Sequence, residues 1–240
     1  MLKASKASLK NKTKLTSTVV EFEFEMVDPL RLVFKAGQYI AIDIAPKVKR
    51  QYSIASSPSN SKKSFKIVID VKPNGIGTKY LMGLNIGDVI NFIGGIGLFI
   101  LPARFARDVF FIGTGTGLAP LKSMVEEILA QNAQGILSTL PNIHLYFGTR
   151  YKEDIFYEDS FNKYLQESKI KDYKIFLSRE QNSKKHQTGY VSKFIDFHDV
   201  EVLHGAQYFL CGSGEMIKSV EGLLIDKNIN QASIYYEKFY

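Results

Sequence analysis

Val109-Phe110-Phe111-Ile112-Gly113-Thr114-Gly115-Thr116-Gly117-Leu118-Ala119-Pro120 separates two halves of the chain that differ in rhythm. A short apolar run enters a glycine turn, after which Leu118, Leu121, Met124, Val125, Ile128 and Leu129 recur at helical spacing. Strand, glycine turn and helix in that order open a parallel α/β sheet. Four more strand-like runs follow, at 143–147, 173–177, 207–211 and 233–236, with helical stretches between them. Alternating β and α elements at this spacing predict a doubly wound sheet for the C-terminal half.

Upstream the period drops to two. Val19-Val20-Glu21-Phe22-Glu23-Phe24, Tyr39–Ile44 and Phe65–Val71 alternate apolar and polar residues. Turn signals separate them at Asp28-Pro29, Ala36-Gly37, Ser57-Pro58-Ser59-Asn60 and Pro73-Asn74-Gly75. Short antiparallel strands with little helix predict a small closed barrel. The change of rhythm near Pro102–Arg107 divides the chain into domains 1–103 and 104–240.

Composition narrows the function classes. With 240 residues, 45% apolar and 23% charged, the chain can build one large or two ordinary globular domains. The single cysteine, Cys211, excludes an internal disulfide and a cysteine-ligated iron–sulfur cluster within the chain, and no metal site is assigned. Val89–Leu101 is the longest apolar stretch, too short and too broken by Asn91 and glycines to span a bilayer. No apolar segment follows the N-terminal lysines as a secretory signal requires, so a cytoplasmic protein is expected.

Lys3, Lys6, Lys10, Lys12 and Lys14, with no acid before Glu21, supply most of the formal charge of +7. They read as a solvated edge strand guarded by lysines, or as an attractor for an acidic partner. No aromatic residue interleaves with them, which argues against nucleic acid.

Ligands of a parallel sheet gather at the carboxyl ends of its strands. Those ends are Gly113–Gly117, Gly148-Thr149-Arg150, Ser178-Arg179 and Cys211-Gly212-Ser213-Gly214. Small residues admit a ligand to the backbone, hydroxyls donate, and arginines neutralise phosphate. The helix beginning near Leu118 directs unpaired N–H groups at a pyrophosphate. Gly113-x-Gly115-x-Gly117 is not the six-residue dinucleotide fingerprint, and no acid follows at the ribose position. A bare strand–helix turn is the alternative. Arg179 beside Ser178 suits the extra phosphate of NADP, or else pairs with Glu180 at the surface.

A second phosphate device lies in the barrel half. Arg50 can neutralise a phosphate, Tyr52 can lie against a flat ring system, and Ser53 can present a hydroxyl to it. Alternation puts Arg50 and Tyr52 on one face and Ser53 on the other. Gly75-Ile76-Gly77-Thr78 leads into Lys79-Tyr80-Leu81, which opens a helix whose amides can hold a pyrophosphate. Two phosphate devices in one chain suit hydride transfer between two bound cofactors.

These residues resemble, in order and over nearly the whole chain, the ferredoxin–NADP reductase superfamily. Arg50-Gln51-Tyr52-Ser53 resembles its R-x-Y-S flavin motif, and Gly75–Thr78 its flavin-pyrophosphate loop. Gly94-Gly95-Ile96-Gly97-Leu98-Phe99 resembles the end of its barrel, with Gly95 where proline is usual. Gly113–Pro120 resembles the nicotinamide-nucleotide loop, Tyr146–Arg150 the segment after the second strand, and Cys211-Gly212 with Met216 the nicotinamide-side motif.

The resemblance implies a six-stranded antiparallel barrel binding FAD and a Rossmann-like parallel sheet binding NADPH or NADH. It places Ser53, Cys211 and Glu237 near the hydride path. It counts Arg50, Gln51, Tyr52, Ser53, Val71, Gly75, Ile76, Gly77 and Thr78 as flavin contacts. Gly113, Thr114, Gly115, Thr116, Gly117, Arg150, Ser178, Arg179, Cys211, Gly212 and Met216 are the nucleotide contacts. Phe239 and Tyr240 compete to stack on the flavin. The implied activity is NAD(P)H oxidation, NADPH favoured, with electrons passed to a separate ferredoxin, flavodoxin or oxygenase component. A reductase of free flavin and a non-catalytic electron-transfer subunit are the alternatives. A monomer is expected, with no nucleic acid partner.

Overall fold

The computed structural model describes residues 4–61, 63–72 and 74–239. Lys3, Pro73 and Tyr240 therefore lie outside the described residues. The chain forms two compact units, Met1–Leu101 with Lys122–Ile136, and Pro102–Leu121 with Leu137–Tyr240.

The first unit holds β1 (Ala4–Lys14), β2 (Val19–Asp28), β3 (Tyr39–Ala45), β4 (Val48–Ser53), β5 (Ser64–Asp70), α1 (Ile76–Gly83) and β6 (Val89–Ile96). The strands pair antiparallel in the order β4-β3-β6-β1-β2-β5. A bridge between Ile54 and Ile67, with Ala55 N donating to Lys66 O at 2.7 Å, joins the two edges and closes the barrel. Alternation sends Val20, Phe22, Phe24 and Met26 inward, where Phe24 stacks on Phe65 at 5.5 Å and Phe65 meets Phe92 at 5.2 Å. Each fully buried phenylalanine contributes about 1.5–3 kcal/mol.

The lysine-rich N-terminal segment is not an edge strand. β1 pairs with β2 on one side and β6 on the other, and buries Ala7 and Leu9. Its lysines stand on the opposite face, and Lys12 Nζ donates to the carbonyls of Met82 and Leu84 at the C-terminal end of α1. That helix carries no basic residue in its own last turn, so Lys12 supplies the charge its dipole favours.

The 122–136 segment packs onto this barrel through polar contacts. Ser123 Oγ donates to Ser56 O at 2.8 Å, and Glu127 accepts from both Ser59 N and Ser59 Oγ at 2.9 Å. Glu127 is only 8% exposed, and these bonds offset the cost of burying its charge.

The second unit contains β7 (Asp108–Thr114), the start of α2 (Leu118–Ala133), β8 (Asn142–Thr149), α3 (Glu158–Gln166) and β9 (Asp172–Leu177). The short β10 (Gln187–Thr188), α4 (Val200–His204), β11 (Gln207–Ser213), α5 (Gly214–Asp226) and β12 (Ile234–Phe239) follow. All pairs are parallel, in the order β10-β9-β8-β7-β11-β12. The expected Rossmann-like sheet is borne out, with β10 as an added edge. β12 runs to Phe239 because Cys211, Gly212 and Ser213 pair with Glu237, Lys238 and Phe239. Ser233 belongs instead to the 3₁₀ turn before it. Phe110, Ile112, Tyr146, Phe176, Tyr208 and Leu210 pack with Ile217, Val220 and Leu224 of α5 in the core. Among the described residues, no helix is long and apolar enough to cross a membrane.

Candidate cofactor and nucleotide sites

In the barrel unit, Arg50, Tyr52 and Gly77 converge. A β-carbon on Gly77 would lie 3.0 Å from Arg50 Cγ and closer still to the Tyr52 hydroxyl, so only glycine leaves that spot open. Gly77 sits in the first turn of α1, whose N-cap Gly75 offers no side-chain cap and whose first turn carries no acid. The first amides of the helix are therefore left for an external acceptor, with the Arg50 guanidinium exposed nearby. Thr78 is half-buried, and Ile76 is exposed at the first position of α1.

Burial raises the Tyr52 phenol above its usual pKa, with the Arg50 charge acting in the opposite sense, so the ring is neutral. Ser53 is buried and pairs in register with Tyr39, on the face away from Arg50 and Tyr52. Gln51 is not drawn into the cluster; its Nε2 donates to Tyr39 Oη at 3.3 Å. Val71 packs half-buried against the barrel core, its N–H bound to Thr18 O at 2.7 Å.

In the second unit the carboxyl ends of β7, β8 and β11 meet at the glycine turn. Gly113–Thr114 closes β7, the turn Gly115–Gly117 is 3₁₀, and α2 starts at Leu118. A β-carbon on Gly117 would lie 2.7 Å from Gly212 N and closer to Cys211 O, both immovable backbone. Ser213 N donates to Thr114 Oγ1 at 3.2 Å, which ties β7 to β11 where the strand order reverses. Ser213 also caps α5, accepting from Met216 N at 3.2 Å. A second helix N-terminus thus faces this edge, and the capping role of Ser213, already named among the strand ends, is what sequence reasoning did not assign. Its signal is a serine directly before Gly214 and the helical run from Glu215.

Cys211 is fully buried and in register with Gly113 on one side and Glu237 on the other. Burial first, then the Glu237 carboxylate, pushes its thiol well up, against the Gly212 N–H bond, so it is un-ionised near neutral pH. Met216 is buried, Gly115 is exposed and Thr116 is half-buried. Phe239 is half-buried, paired with Ser213.

Ser178 and Arg179 lie beyond β9, bound through Ser178 N to Thr149 O at 2.9 Å and Arg179 N to Arg150 O at 3.1 Å. That sets Arg150 and Arg179 side by side at the surface. Arg179 makes no ion pair among the described residues, because Glu180 is taken by the Lys152 amide at 2.6 Å.

Two family models match the chain, an oxidoreductase FAD-binding domain over residues 6–100 and an oxidoreductase NAD-binding domain over 111–222. The chain is 32% identical to ferredoxin–NADP reductase B of Sorangium cellulosum, covering 87% of itself and 86% of that protein. It is 27% identical to the toluate 1,2-dioxygenase electron transfer component of Pseudomonas putida, over 97% of itself and 67% of that protein. The crystal structure of a ferredoxin NADP⁺ reductase from Neisseria gonorrhoeae with bound FAD and NADP superposes over the full length of both chains, at a TM-score of 0.79 and 20% identity.

Proposed function

Because the chain belongs to the ferredoxin–NADP reductase superfamily, we propose that it oxidises NADPH and delivers the electrons to a separate ferredoxin or flavodoxin. It is an oxidoreductase with an FAD-binding and an NAD-binding domain. The observation that carries the proposal is the convergence of Arg50 and Tyr52 on Gly77 beside the uncapped first turn of α1.

FAD fits that place. The glycine gap, the free helix amides and the arginine match a pyrophosphate, and the half-buried neutral phenol ring of Tyr52 matches a flat ring system. Bound there, FAD supplies the link between a two-electron nicotinamide donor and a one-electron carrier.

The protein's own residues then have defined tasks. Arg50 and the amides of Gly77 and Thr78 hold the pyrophosphate, and Tyr52 orients the ring. Ser53 serves hydride transfer from the flavin domain, and Cys211, as an uncharged thiol, and Glu237 serve it from the nucleotide domain. The Gly113–Gly117 turn and the first turn of α2 bind the nucleotide pyrophosphate, while Ser178 and Arg179 grip the phosphate on the adenosine ribose. We assign the flavin to 1–103 and the nucleotide to 104–240, and place the protein in the cytoplasm as a monomer. Carrier docking draws on Lys6 and Lys14, since Lys12 is committed to α1 and Lys10 pairs with Glu23 at 3.2 Å.

The test is NADPH-driven reduction of a purified acidic ferredoxin or flavodoxin at rising ionic strength. Turnover is expected to fall as salt screens the attraction. A colourless protein that oxidises NADPH only with added free flavin would select flavin reduction instead.

A further inference from the structure

The opposite edge of the second unit's sheet carries a cluster that nucleotide chemistry does not use. Asp108, Asn142 and Asp172 are the first residues of β7, β8 and β9, so they lie at the amino ends of three adjacent parallel strands. His144, near the start of β8, is 4% exposed, and His198 directly follows the 3₁₀ turn Val191–Phe197. One nitrogen of each imidazole and one carboxylate oxygen of Asp172 all lie within 4.8 Å of one another.

The surroundings prepare these groups as ligands. His144 Nε2 is 3.0 Å from Asp108 Oδ1, and Asn142 Nδ2 donates to the same oxygen at 3.0 Å. A carboxylate on one ring nitrogen holds the proton there and leaves the lone pair on the other. That other nitrogen, Nδ1, is buried with no hydrogen-bond partner among the described residues. Such an orphan is costly unless something fills its lone pair. The ring is held in place by stacking on Phe110 at 4.5 Å and by the edge of His198 at 4.9 Å. Asp172 is held in turn, by Lys174 Nζ on Oδ1 at 2.9 Å and by the Tyr146 hydroxyl on Oδ2 at 2.5 Å. The same hydroxyl is 2.5 Å from His198 Nε2.

We propose that His144 Nδ1, His198 and Asp172 bind a borderline divalent transition metal of the Zn²⁺ class, with Asp108 as the group that orients His144. Two imidazoles and a carboxylate are a zinc donor set, and three protein ligands leave a fourth position for water. A carboxylate behind the ligating histidine is the usual supporting arrangement. With the Tyr146 proton on Asp172, His198 Nε2–H donates to the phenol oxygen. On metal binding that contact opens, the imidazole carries its proton on the nitrogen away from the ion, and the other nitrogen supplies its lone pair. The ion would pin β8, β9 and the 191–197 turn together. It is a structural clamp, on the far edge of the sheet from the glycine turn.

The test uses the full-length, flavin-loaded protein, stripped with a chelator and equilibrated by dialysis against zinc chloride. About one zinc per chain is expected, with a melting temperature that rises with zinc concentration. Asp108→Asn is expected to weaken binding about 10- to 100-fold, and His198→Ala and Asp172→Asn at least tenfold. Replacing buried His144 risks unfolding, so half-buried His198 carries the argument, with flavin content confirming its fold. Of the four histidines in the chain, His186 and His204 serve as controls, and their replacement by alanine leaves zinc binding unchanged. Failure to retain zinc overturns the proposal. So does zinc affinity that is unchanged in both His198→Ala and Asp172→Asn.

Discussion

The backbone of Gly117 lies directly against the carbonyl of Cys211, with no room for a β-carbon between them. This contact seats the glycine turn after β7 on the end of β11, so the turn's amides and those opening α5 share one edge. Gly117→Ala should push β7 and β11 apart at that edge. Overpacking of this kind costs about 1–3 kcal/mol, measurable as a lower denaturant midpoint. The variant should also raise the KM for NADPH, and an unchanged midpoint and KM would remove the role assigned to the contact.

The barrel site makes a paired prediction. Gly77→Ala drives a methyl group into the Tyr52 hydroxyl and should lower the flavin-to-protein ratio after dialysis. Adding Tyr52→Phe, which deletes the oxygen in the way, should restore part of that ratio. If the single variant keeps its flavin, the cradle is not where the cofactor binds.

Arg179, exposed and free of ion pairs among the described residues, is the group assigned to the ribose phosphate. Arg179→Ala should raise the KM for NADPH about tenfold, roughly 1.4 kcal/mol, and leave that for NADH unchanged. Equal changes for both nucleotides would contradict the assignment.

Cys211 yields a prediction in pH. Its folded-state thiol titrates above the ordinary value of 9.0 because it is buried beside Glu237. Its contribution to stability is thus fully present below that value. It is lost as the pH rises, when the unfolded thiol ionises and the folded one does not. Iodoacetamide at pH 8 should alkylate the native protein about 100-fold more slowly than the urea-unfolded chain, since only the thiolate reacts. Comparable rates would show an ionised or exposed thiol.

Both sheets are legible in the sequence because their signals are local. The alternation of β2 and the strand–turn–helix at 109–120 each declare themselves within a dozen residues. The convergence of Arg50 and Tyr52 follows from alternation along β4 in the same way. What cannot be read depends on distant pairing. β1 looks like an edge because its lysines are visible, whereas its place is fixed by β6, whose Ile90 pairs with Ala7. The bond from Ser59 to Glu127 spans 68 residues and leaves no periodic trace. His144, Asp172 and His198 come from three separate elements, so no spacing motif announces them.

The most direct measurement is the visible absorbance spectrum of the purified protein under anaerobic conditions, before and after addition of NADPH. The account predicts a bound flavin band near stoichiometric with protein, bleached by NADPH. A yellow protein whose band survives both NADPH and NADH, or a protein with no such band after saturation with FAD and desalting, would contradict it.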